Sequence, residues 1–79
     1  MTEKMVLIEW LDSNIMHGWR TEEEVKEDIL AHCKTIGFLI AQNDKCITLT
    51  MGISDFGSVL ESITIPKGCI KSMRELRLK

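Results

Sequence analysis

The sequence predicts an α+β protein: a small, strongly bent antiparallel sheet or half-open barrel with one helix, in the order β-α-β-β-β-β. Three observations carry that prediction. Residues 46–53 alternate apolar and polar side chains cleanly, Ile47, Leu49, Met51 and Ile53 against Cys46, Thr48, Thr50 and Gly52. A capped acidic segment at Thr21–Asp28 interrupts an otherwise period-two pattern. Turn chemistry at Asn43-Asp44-Lys45, Ser54–Ser58 and Pro66-Lys67-Gly68 divides the second half into short strands. Consecutive antiparallel strands in a 79-residue chain curl readily, because curling hides their edges.

The first strand is placed at residues 5–12. Val6, Ile8 and Trp10 fall on one face and Leu7, Glu9 and Leu11 on the other, so this reads as a central strand covered on both sides. Ser13 to Arg20 reads as a loop, although it carries Ile15, Met16 and Trp19. Thr21 is an N-cap with Glu24 three residues on, and Glu22, Glu23 and Glu24 suit the positive end of a helix dipole. Val25, Ile29, Leu30 and Cys33 recur at helical spacing and extend the expected helix to about Cys33, with His32 near its end.

The period then returns to two at Ile36, Phe38 and Ile40. Val59 to Ile65 supplies a further strand closed by Pro66. The final segment fits either a helical stripe or a strand, and Pro66-Lys67-Gly68 favours a tight turn into a short strand.

Composition bounds the function. Hydrophobic residues at 44% and charged residues at 28% describe an ordinary globular chain, expected to form one small domain over residues 1–79. No apolar run is long enough to span a membrane, no basic leader precedes the first strand, and a cytoplasmic protein is expected. Cys33, Cys46 and Cys69 are odd in number and widely spaced, which argues against a disulfide framework or a zinc site and for small buried hydrophobes. Glu24, Asp28 and His32 follow one another at i, i+4 spacing, but a solvated helix face explains them more simply than a metal site. Neither a metal nor a cofactor is expected.

The net charge of −2 is uneven: residues 1–40 hold four basic and eight acidic groups, residues 41–79 six basic and four acidic. Lys67, Lys71, Arg74, Arg77 and Lys79 make a basic stripe. Such a stripe discourages edge-to-edge aggregation or holds a small anion, and a weakly acidic chain is not a general nucleic-acid binder. No serine lies in a nucleophile-elbow pattern, the glycines are too scattered to cradle phosphate, and no enzyme is expected.

The most loaded spot is the loop. Trp19 offers a flat face and Arg20 a fork, with His17 two residues before the tryptophan. His17, Trp19, Arg20 and Lys67 are the expected ligand-binding residues. The competing reading makes Trp19 a hydrophobic plug over one end of the barrel.

Glu9-Trp10-Leu11-Asp12-Ser13 with Gly18-Trp19, then Thr35-Ile36-Gly37-Phe38-Leu39, then Ile65-Pro66-Lys67-Gly68-Cys69-Ile70, resemble a group of small phage and prophage proteins of unassigned function. The resemblance covers nearly the whole chain. It implies a non-enzymatic binding module that counteracts a host system in the bacterial cytoplasm by binding a small nucleotide signal or a host protein. Nucleic acid is the less favoured partner, or the chain is an assembly protein with no soluble ligand. The ending Ile63-Thr64-Ile65-Pro66, with Ile70 and Met73, is similar to the last two strands of Sm-like barrels, an SH3-type architecture in which the helix ordinarily comes first. A homo-oligomer burying part of Leu7, Leu11 or the final strand is also expected, since a core this small is marginal.

Overall fold

The computed structural model describes residues 4–77. In chain order it forms β1 (Lys4–Asp12), α1 (Glu22–Lys26), β2 (Ala31–Gln42), β3 (Cys46–Ile53), β4 (Val59–Pro66), a single 3₁₀ turn (Lys67–Cys69) and β5 (Ile70–Leu76). The five strands make one open antiparallel sheet in the order β4-β3-β2-β1-β5. The final segment is a strand, led in by the turn that Pro66 starts. Leu78 and Lys79, at the end of the expected basic stripe, lie outside the described residues.

The link between the last two strands fixes how the sheet bends. β4 and β5 stand at opposite edges. Laid flat, those edges would be about 19 Å apart, four strand spacings. Only Lys67–Cys69 joins them, and four Cα steps reach at most about 14 Å even fully extended. The sheet must therefore roll. Its concave side gathers Val6 and Ile8 from β1, Ile47 and Leu49 from β3, and Ile65 from β4 into one buried cluster, with Trp10, Leu39, Ile63 and Ile70 packed against it.

Two local features allow that curvature. Gly37 is buried in β2, and a Cβ there would sit 2.8 Å from the Thr50 carbonyl oxygen and 3.1 Å from Leu49 Cβ. Without a side chain, β2 lets β3 come close. On the far side of β3, Thr50 is buried, and its hydroxyl lies 2.8 Å from the Leu60 carbonyl and 2.6 Å from that of Glu61. Glu61 has φ of 54°, a left-handed conformation that costs a non-glycine residue about 1–3 kcal/mol. The Thr50 hydroxyl satisfies the carbonyl that this turn of the backbone points inward.

The sequence misplaces several boundaries and faces, among them the end of β3, where Thr50 is buried and Met51 is exposed. The helix ends at Lys26, one turn after it starts, and does not run to Cys33. Val25, Ile29 and Leu30 are 51%, 73% and 52% exposed, so no apolar stripe docks on the sheet to sustain a helix. So short a helix without such packing does not propagate. Cys33 and His32 are instead extended in β2, opposite Trp10 and Leu11, and His32 caps nothing. β2 thus begins at Ala31, where the β1 ladder captures the chain. Finally, β1 is covered on one face only: Val6 and Ile8 are buried, while Leu7 and Leu11 on the other side are half-buried. The cysteines are free thiols, and each is half-buried rather than buried.

Candidate binding surface: the arm between β1 and β2

β1 and β2 stay paired as far as Asp12 and Ala31, and the chain between them, residues 13–30, leaves the sheet as an arm. The short helix α1 lies within it, and no arm residue is buried.

Hydrogen bonds and charge hold the arm's shape. The Arg20 guanidinium donates through Nη1 to Asp28 Oδ2 and through Nη2 to Asp28 Oδ1, both at 2.8 Å, a two-pronged charged pair. Nη2 also donates to the Glu24 carbonyl at 3.2 Å, and Glu24 Oε2 lies 3.9 Å from Arg20 Nε. The bond to Asp28 raises the Arg20 pKa and lowers that of Asp28 below its ordinary 3.8. Thr21 Oγ1 accepts from the Glu24 N–H at 3.2 Å, the expected N-cap. The Asn14 amide donates to the Ile29 carbonyl at 3.5 Å, tying one limb of the arm to the other. Glycine is required at Gly18, where φ is 92°.

This frame displays large apolar side chains among its acidic ones. Trp19 is 105% exposed, Ile15 74% and Met16 55%, and Val25, Ile29 and Leu30 are exposed as well. That overturns the hydrophobic plug: Trp19 closes no end of the sheet. Trp10 is the tryptophan that fills, half-buried against the core with its Nε1 donating to Thr35 Oγ1 at 3.0 Å.

Of the four expected binding residues, three share the arm. His17 and Trp19 face solvent, whereas the fork of Arg20 is turned back onto Asp28. Lys67 is exposed in the turn after β4, where its backbone N–H donates to the Lys45 carbonyl at 2.8 Å. Among the described residues no hydrogen bond or ion pair joins Lys67 to the arm. The sequence reading missed Asp28 as the partner of Arg20. The signal available was a lone arginine directly ahead of an acidic run.

Space and charge are separated. The cleft at the root of the arm, lined by Glu9, Trp10, His32, Cys33, Lys34 and Lys71, holds about 110 Å³. Ligand sites for small molecules usually measure about 300–1,000 Å³. Two roomier grooves, of about 420 Å³ along Gly52–Leu60 and about 360 Å³ beside Phe38 and Asp55, are lined by no lysine or arginine. Among the described residues no cluster of His, Cys, Asp and Glu is arranged to hold a metal ion, and no helix is long and apolar enough to cross a membrane.

No family model matches this sequence, and it matches no curated protein and no solved structure.

Proposed function

We propose that this protein is a non-enzymatic binding module of phage type that acts in the bacterial cytoplasm by capturing a host protein with its arm. The observation that carries the reading is the fully exposed Trp19, on the same loop as the exposed Ile15 and Met16, a loop that hydrogen bonds hold in shape. An aromatic anchor with aliphatic neighbours on a shaped loop is what a protein groove accepts, and tryptophan is enriched where binding energy concentrates. Arg20 is a positioning residue in this reading, since its guanidinium shapes the arm through Asp28. The curled sheet is the platform, and its strand order together with the short turn between β4 and β5 favours the SH3/Sm-like description.

A protein target is favoured over a nucleotide because the cleft that has cations is small and the roomier grooves have none. The nucleotide reading retains one supporting feature: Lys67, Lys71 and Arg74 are exposed and have no carboxylate within 4.0 Å among the described residues.

The test is affinity capture from host lysate with the wild type, Trp19→Ala and Lys67→Glu, together with mass spectrometry of small molecules released on denaturing the wild type. One host protein retained by the wild type and Lys67→Glu, and lost by Trp19→Ala, is the expected result. Release of a stoichiometric nucleotide, or capture that depends on Lys67 and not on Trp19, would overturn it.

A further inference from the structure

The convex face of the sheet is built unlike a solvent face. An antiparallel sheet with one core ordinarily turns polar side chains outward. On the outer side of β5, β1 and β2, Met5 stands between Leu76 and Phe38 in one row, and Leu7 stands opposite Ile36 in the next. All five are apolar, none is buried, and Ile36 is 60% exposed. Around this centre the rim is charged with both signs: Arg74 opposite Leu7, and Glu9 with Lys34 at 3.9 Å. Arg74 has no carboxylate within 4.0 Å among the described residues.

We propose that this face is covered by a second copy of the chain, related by a two-fold axis. An apolar centre with a polar rim is the ordinary anatomy of a protein interface. A rim carrying both signs is what a self-complementary patch needs, since each copy then offers the other both an acid and a base.

The small core argues for a like partner. The chain exposes 6648 Å², against roughly 4,900 Å² for a compact monomer of this mass. Its radius of gyration is 16.3 Å, where a compact chain of this length has about 12 Å. The excess, about 1,700 Å², is shared between the exposed arm and this face, and a standard interface buries roughly 800 Å² on each partner. Only five hydrophobic side chains are buried within one chain, and a permanent like partner supplies the burial that so small a core lacks. The arm remains free in this arrangement, so the assembly does not depend on what the arm captures.

Sedimentation equilibrium of the full chain at micromolar concentration, across a tenfold dilution, tests the proposal. The wild type is expected at twice its 9.0 kDa chain mass, and Ile36→Lys at the single mass with an unchanged far-UV circular dichroism spectrum. Should Ile36→Lys fail to fold, the milder Ile36→Ser gives the same readout. A wild type at single mass throughout, a folded Ile36 variant that keeps the double mass, or a double mass lost in Trp19→Ala but not in the Ile36 variants would overturn it.

Discussion

The arm and the curled sheet use apolar residues in opposite ways. In the sheet, Ile8 and Ile65 are wholly buried, and the strands satisfy most of one another's backbone groups through antiparallel ladders. In the arm, Trp19 and Ile15 are among the most exposed side chains described, and the shape depends on a few hydrogen bonds around Arg20 and Asp28. Burial makes one region stable, and display makes the other available. The comparison implies that substitutions in the sheet change stability and that substitutions in the arm change it little; under the proposed function, the arm substitutions change binding instead.

The largest effect belongs to the core. Ile8→Ala should lower unfolding free energy by about 2–5 kcal/mol, because it removes transfer energy and leaves a cavity among β1, β3 and β4. Urea denaturation checks this, and a smaller loss would mean that the concave face is poorly closed. Gly37→Ala comes next. Its Cβ would meet a backbone oxygen and Leu49 Cβ, so β3 must shift at a cost of about 1–3 kcal/mol. An unchanged urea midpoint for that variant would show that the sheet curls without a close approach at Gly37.

Thr21→Ala removes a cap typically worth about 1 kcal/mol, but from a helix on an exposed arm. Faster amide exchange at Glu24 with an unmoved global midpoint is the expected outcome. A lowered global midpoint would mean that arm and sheet unfold together, erasing the contrast.

The smallest effect is one of pH. Asp28 has a lowered pKa in the folded protein, so the stability it contributes is fully present above its ordinary value of 3.8 and is lost as pH falls through the lower folded value. Arm amides should therefore lose protection in acid below pH 3.8, before those of β1 and β3. Arg20→Ala should remove that pH dependence, and an arm whose protection stays flat in acid would contradict the clamp.

Much of the sheet was legible because alternation reports burial as far as Leu49; beyond it the faces exchange, with Met51 63% exposed and Thr50 buried where the alternation predicts the reverse. The spacing of Ile47, Leu49 and Ile65 places them inward, and the core holds them there. The helix was not legible beyond its first turn. Thr21 and the three glutamates describe how a helix starts, but Val25, Ile29 and Leu30 have helical spacing without a surface to bury against. Spacing alone cannot reveal that the long-range ladder from Asp12 to Ala31 outcompetes a local turn. For the same reason the second face of β1 read as covered: apolar side chains at Leu7 and Leu11 mark a surface suited to burial, not one already buried within the chain.

In the candidate site, Trp19 and His17 were legible as the loop residues with recognition chemistry. The direction of Arg20 was not, because its partner Asp28 lies eight residues away and only the arm's fold brings the two together.

The arm carries little of the fold, as the proposed binding role requires. The denaturation midpoint of Trp19→Ala, measured beside the wild type, tests it most directly. A fully exposed side chain predicts a change within about 0.5 kcal/mol. A loss of about 3–5 kcal/mol, the ordinary cost of truncating a buried aromatic, would contradict the account and return Trp19 to the interior.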